Sequence, residues 1–216
     1  MASAFRLRDS IFLSALDSQA KALTDRIHES LGGIGVKDIA RDDLVHGYGG
    51  PSWAEPNTTQ ILVATVPRPD MEQRAHKMSR IDGSITIPVV LEYPMVRVGP
   101  VADGDSGCYE CFSRRLIQHG ADETFETMKR QAFAATEGGP NLLLHHESEY
   151  VVARVLSLVY MSRSAGSAGQ GLGGRSMWLD VANFTGSVDR VVGIHGCATC
   201  GGQAGTPEER TWKFLT

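Results

Sequence analysis

All four cysteines of this chain fall in two pairs of identical spacing, Cys108-Tyr-Glu-Cys111 and Cys197-Ala-Thr-Cys200. Two intervening residues let both sulfurs of a pair face one metal about 2.3 Å away, and two such pairs fill the tetrahedron that zinc favours. Glycines flank both pairs, Gly104 and Gly107 before the first and Gly196, Gly201 and Gly202 around the second. They allow the tight turns that bring backbone amides toward sulfur. The expected site is one zinc ion on Cys108, Cys111, Cys197 and Cys200. Four thiolates leave no open position, so that ion would be structural rather than catalytic. Two other chemistries use the same residues. Paired disulfides need an oxidising compartment. A redox-active Cys-x-x-Cys sits at a strand-to-helix turn, which Cys108 nearly does, but the second pair lacks that context. Residues 112–196 separate the pairs, so the metal would staple the start of a helix to the end of a hairpin.

Other candidates carry less. His145 and Glu149 form an i, i+4 pair beside His146 and Glu147, yet no third ligand is identifiable. Acidic residues in the first turn of a helix are favoured by its dipole alone. Arg114 and Arg115, after Cys111, can pair with carboxylates or hold an acidic partner; a solvated or structural role is expected for at least one. The chain has no Gly-x-Ser-x-Gly motif and no cysteine outside the two pairs to act as a nucleophile.

The elements that must position these residues alternate strand and helix. Ser10 to Leu16 reads as a first strand. A helix over 17–31 follows, with Leu16, Ala20, Leu23, Ile27 and Leu31 at helical spacing, Asp17 or Ser18 as cap and Gly32 as its end. Gly32-Gly33-Ile34-Gly35 is the helix C-cap and turn. Ile34 to Ala40 suggests a second strand, with Asp42-Asp43 in a solvated turn after it. Ile61 to Val66 is a continuous apolar run, as expected of a strand covered on both faces. Asp70 then caps a helix carrying Met71, Ala75, Met78 and Ile81. Ile85 to Leu91 and Met95 to Val98 are further strands, with Pro88 favouring an edge or an irregularity. Helices are expected over 112–134 and over 141–161, the second starting at Pro140-Asn141 with Leu144, Val151, Val155 and Val159 along one stripe. Met177 to Ile194 reads as a hairpin turning at Gly186-Ser187 and delivering the second cysteine pair. His46 to Thr59 and the Gly/Ser-rich Ser162 to Ser176 read as loops, the latter flexible. The expected class is α/β, a mostly parallel sheet with flanking helices. A single domain over 1–216 is expected, with a Rossmann-like half over 1–100 and a helical, zinc-bound portion over 101–216.

Composition bounds the partners. The chain has 216 residues, a net charge of −4 and 42% hydrophobic residues. It can bury a core without staples, and its mild acidity with no basic run argues against duplex nucleic acid or an anionic membrane as main partner. Apolar runs are too short to span a bilayer, and the N-terminus carries no long apolar signal core. A cytoplasmic setting is expected.

The stretch Val98-Gly99-Pro100-Val101 through Cys108-Tyr109-Glu110-Cys111-Phe112-Ser113-Arg114-Arg115 resembles the Gly-Pro, Cys-x-x-Cys, helix-with-Arg segment of ThiF/MoeB-like proteins. It is similar above all to the Ocin-ThiF-like, or cyclodehydratase C, branch that partners YcaO enzymes in making thiazole/oxazole-modified peptides. The tail Val191 to Cys200 resembles that branch's closing strand and second Cys-x-x-Cys, although Gly196 stands where proline is expected. The resemblance implies a ThiF-like fold, and a YcaO-type enzyme and a precursor peptide as partners; a homodimer is a further option that the sequence leaves open.

Two departures shape the functional expectation. Active relatives carry a glycine-rich loop between first strand and first helix whose amides hold nucleotide phosphates. Here that stretch is Ser14-Ala15-Leu16-Asp17-Ser18-Gln19-Ala20, with no glycine, and Asp17 puts a negative charge where a phosphate would sit. ATP is therefore not expected as a cofactor. Only about a dozen residues precede the first helix, too few for the winged-helix module that grips a peptide leader in many relatives; if leader recognition occurs in this pathway, it falls to another chain. The reading is a scaffold or activator without chemistry of its own. Its rivals are an ATP-dependent adenylating enzyme and a zinc-binding interaction module of another pathway.

Overall fold

The computed structural model describes residues 10–43, 58–92, 94–104, 106–119, 124, 128, 131, 143–164 and 172–200. In chain order the elements are β1 Ser10–Ala15, α1 Ala20–Gly33, β2 Asp38–Asp43, β3 Thr59–Ala64, α2 Pro69–Asp82, β4 Ile85–Glu92, β5 Met95–Val98, α3 Tyr109–Gln118, α4 His145–Ser164, β6 Arg175–Asp180 and β7 Thr185–Arg190. One seven-stranded sheet holds them in the order β2-β1-β3-β4-β5-β6-β7. The first four of those strands run parallel. β5, β6 and β7 complete the sheet antiparallel. The C-terminal hairpin is thus a continuation of the sheet that begins at β2.

The two faces of the sheet differ in chemistry. Alternation along the strands sends Ile11, Leu13, Ile61, Val63, Ile87, Val89, Val96 and Val98 to one face, where they form one apolar core with α1 and α4. Leu23, Ile27 and Leu31 of α1 and Val151, Val155 and Leu158 of α4 are buried there. Each such side chain contributes about 2 kcal/mol, whereas the exposed Lys21–Asp25 pair on α1 contributes less than about 1 kcal/mol. Packing rather than charge therefore holds α1. The turn after α1 forms as expected: Ile34, Gly35 and Val36 return their N–H groups to Ser30, Gly32 and Leu31.

The opposite face is partly polar, and α2 is set on it differently from the sequence reading. The expected stripe was Met71, Ala75, Met78 and Ile81. The residues turned inward are Glu72, Ala75, His76 and Ser79, and Ile81 is 78% exposed. The physical reason is Arg97 on β5, which is 1% exposed and needs a counter-charge. Glu72 supplies it through two bonds, Nη2 to Oε1 at 2.7 Å and Nη1 to Oε2 at 3.0 Å. Burial acts to lower the Arg97 pKa, but the Glu72 carboxylate outweighs it and keeps the guanidinium charged. Burial in turn pushes the Glu72 carboxyl up, opposed by Arg97.

Other expectations are corrected locally. The hairpin turns at residues 181–184, not at Gly186-Ser187; Gly186 lies in β7 opposite Leu179. Asp180 builds the turn, its carboxylate accepting the N–H groups of Ala182 and Asn183 and the Asn183 amide. Pro88 is not at an edge: β4 is flanked by β3 and β5. It does mark an irregularity, since the β4–β5 register of Val89 with Val98 gives way to the Thr86–Ala102 bridge one residue out of step. Asp42-Asp43 end β2 rather than form a turn. The first helix after Cys108 stops at Gln118, although Thr124, Met128 and Gln131 are also helical. The long helix starts at His145, so Leu144 precedes it and is exposed. Within the expected Ser162 to Ser176 loop, α4 runs on to Ser164, Leu172 is buried and β6 begins at Arg175. Residues 165–171, most of the His46 to Thr59 loop and the Pro140-Asn141 start lie outside the described residues.

Candidate metal centre

Backbone crossings bring together two cysteine pairs that lie 89 residues apart in the sequence. The Gly174 N–H donates to Val101 O, and Val191 N–H donates to Gly174 O, tying the strand exits together. Gly107 lies so close to this crossing that a Cβ would stand 2.8 Å from the Val191 carbonyl oxygen. The first pair sits at the start of α3, with Cys108 as its N-cap residue. The second follows the chain as it leaves β7, and the Arg115 Nε of α3 fixes that exit by donating to Val192 O at 3.2 Å. Cys197 N–H closes a turn onto Ile194 O.

The four sulfurs all lie within 4.8 Å of one another. Cys108 and Cys111 are 3.8 Å apart, Cys108 and Cys197 3.6 Å, and Cys111 and Cys200 3.5 Å. A tetrahedron with metal–sulfur bonds of about 2.3 Å has edges of about 3.8 Å. The cluster therefore fits one ion with four sulfur ligands, a donor set that suits zinc. The Ile194 N–H points at Cys111 Sγ at 3.2 Å, a donor placed for a thiolate. All four cysteines are buried, and Tyr109, Phe112 and Val191 close around them as a second apolar cluster.

This environment bears on the redox chemistry left open by spacing. Without a metal, burial pushes the Cys108 thiol far above the usual range and the Cys111 thiol up to about 11. Redox-active cysteines need the opposite shift. A cation that displaces the protons supplies the compensating charge.

Glu110, between the first two cysteines, bridges to the second pair. Its Oε2 accepts the Thr199 hydroxyl at 2.7 Å and lies 3.6 Å from Cys197 Sγ, while Arg114 pairs with Oε1 at 2.5 Å. The Thr199 hydroxyl holds the Glu110 carboxyl below the usual range; burial opposes it, and the Arg114 charge and the Cys197 thiol add to it. Arg114 and Arg115 thus both serve the centre's frame. Sequence reasoning missed Glu110, Thr199, Glu72 and Arg97; a charged residue within Cys-x-x-Cys was the one visible signal.

The His145 cluster is not assembled for metal. Arg26 Nη2 lies 2.6 Å from His145 Nδ1 and 2.6 Å from Glu149 Oε1, so a cation already occupies the space between them. Glu147 instead accepts the Leu144 N–H at 2.6 Å at the start of α4. Among the described residues the cysteines form the one metal-competent group.

At the first strand-helix turn, Asp17 spans two elements. Its Oδ1 accepts the Ala20 N–H of α1 and its Oδ2 the Thr65 N–H after β3, each at 2.9 Å. These are donors of the kind a phosphate would take at a helix N-terminus.

Compared with solved structures, the chain superposes over nearly its whole length. A chain of the E. coli microcin synthetase McbBCD complex matches with a TM-score of 0.67 at 12% identity, over 92% of this chain and 71% of the other. The fold is ThiF-like. E. coli MccB, solved with MccA, matches with a TM-score of 0.60 at 10% identity, over 90% of this chain and 67% of the other. A heterocyclase solved with substrate and cofactor matches with a TM-score of 0.60 at 16% identity, over 90% of this chain but 25% of its own. The ThiF-like chain here thus spans about a quarter of that heterocyclase. No protein-family model matches the sequence, and no curated protein matches it. No helix among the described residues is long and apolar enough to cross a membrane.

Proposed function

We propose that this chain is a single ThiF-like domain that acts in the cytoplasm as a partner subunit of a YcaO-type cyclodehydratase. The pathway would be the making of azole- or azoline-modified peptides. One structural zinc ion would sit on Cys108, Cys111, Cys197 and Cys200. The observation that carries the reading is the Asp17 carboxylate on the N–H groups of Ala20 and Thr65. It sets a fixed negative charge among the donors that a nucleotide phosphate would need, and two like charges there repel. The likeness to microcin synthetase and heterocyclase chains supports the pathway. On this reading the protein works by contact: it raises the effective concentration of peptide at the partner enzyme and completes the active complex.

The test is mass spectrometry of a candidate precursor peptide, following losses of water, with this protein alone, a YcaO-type enzyme alone, and both together. The expected result is no change with this protein alone and faster dehydration with both than with the enzyme alone. Dehydration by this chain alone contradicts the reading. So does an unchanged rate with no complex on size-exclusion chromatography.

A further inference from the structure

The ion pair beneath α2 reaches the metal centre through two aromatic rings. The Arg97 guanidinium carbon lies 5.7 Å from the Tyr109 ring centroid and 5.1 Å from that of Phe112. These residues flank Cys111 in the first turn of α3, and Tyr109 directly follows Cys108. The two rings touch at 5.8 Å, and Phe112 stacks on Trp178 of β6 at 6.2 Å. Arg97 Nη1 also donates to the Gly99 carbonyl, in the chain that leads from β5 toward the knuckle. One planar group therefore links α2, the sheet and the turn that carries two of the four sulfurs.

A fully buried pair of this kind rarely increases stability over an apolar pair of the same shape, because desolvation offsets the attraction. What it adds is orientation: bidentate contact with Glu72 fixes the plane of the guanidinium, and that plane is the surface on which Tyr109 and Phe112 rest. We propose that Glu72 and Arg97 are positioning residues for the metal centre, holding the Cys108–Cys111 knuckle at the sulfur spacing a tetrahedral ion requires. The inference rests on the metal-binding reading of the four cysteines. Groups hydrogen-bonded directly to metal ligands change metal affinity about 10–100-fold, and a support acting through the rings is expected at the low end of that range.

The experiment compares the full chain with the double variant Glu72→Leu/Arg97→Met, which removes both charges of the ion pair together. Zinc affinity is measured by competition with a chromophoric chelator, and thermal unfolding is followed on metal-free protein. The expected result is zinc binding weakened at least tenfold with the metal-free unfolding midpoint unchanged, and an altered visible absorption of the cobalt(II) form. Unchanged zinc affinity in the folded variant overturns the proposal. A lower midpoint with unchanged affinity overturns it too, since that is what a merely structural pair would give. If the double variant does not fold, Arg97→Lys keeps the charge beside Glu72 but loses the planar fork on which the rings rest; it is expected to release zinc about ten times faster, and an unchanged rate overturns the proposal. Failure of the unsubstituted protein to bind zinc strikes instead at the metal-binding reading.

Discussion

The Asp17 carboxylate receives the Thr65 N–H at 2.9 Å, linking the turn before α1 to the end of β3. The same carboxylate receives the Ala20 N–H, so the first N–H group of the helix is already taken by the chain itself. ATP with magnesium is expected to show no specific binding at millimolar concentration by isothermal titration. A sub-millimolar dissociation constant, or peptide-dependent release of pyrophosphate, restores the adenylating alternative. Asp17→Ala is expected to lower stability by about 1 kcal/mol, the usual cost of losing a capping acceptor, as read from a denaturant midpoint.

Metal content follows from the sulfur geometry. Purified protein is expected to carry about one zinc per chain, the stoichiometry of a closed four-thiolate site, and Cys108→Ser or Cys197→Ser to lose most of it by elemental analysis. Because the thiols must give up protons to bind, affinity is expected to fall as pH decreases, with protons released on loading. Metal-free protein as isolated, with four thiols titrating in the native state, would contradict this.

The bridge between the knuckles should control how fast metal leaves. Thr199→Val keeps the shape of the side chain and removes the hydroxyl that Glu110 accepts at 2.7 Å. Zinc transfer to a chelator is expected to accelerate about tenfold, the low end for loss of such a contact, with the far-ultraviolet circular dichroism unchanged.

The hairpin turn should be acid-sensitive. Asn183, through its side chain and backbone, together with the Ala182 N–H, holds the Asp180 carboxyl below its ordinary value. The folded pKa is depressed, so the stabilisation is complete above the unfolded value of about 3.9 and is lost as pH falls through the lower folded value. Amide exchange of β7 is expected to speed up relative to the rest of the sheet across that acidic range, and Asp180→Asn to abolish the difference.

Much of the fold is legible from local pattern. The buried helical spacing of Leu23, Ile27 and Leu31, the apolar run of β3 and the repeated Cys-x-x-Cys each depend on a period set by backbone geometry alone. The sequence by itself therefore determined that strands and helices alternate, that the first strand-helix turn lacks a phosphate loop, and which four residues form the cluster. The tertiary structure decided what depends on neighbours distant along the chain. α2 turns its polar side inward because Arg97, on a strand outside its own local sequence, is buried against Glu72. The hairpin turns at residues 181–184 because the Asp180 side chain can collect N–H groups there, a competition that glycine content does not reveal. Glu110 and Thr199 meet only after β7 has carried the second pair back over Gly107. Periodicity reports which face of an element is apolar; the partner that a buried charge finds is fixed only when the elements pack.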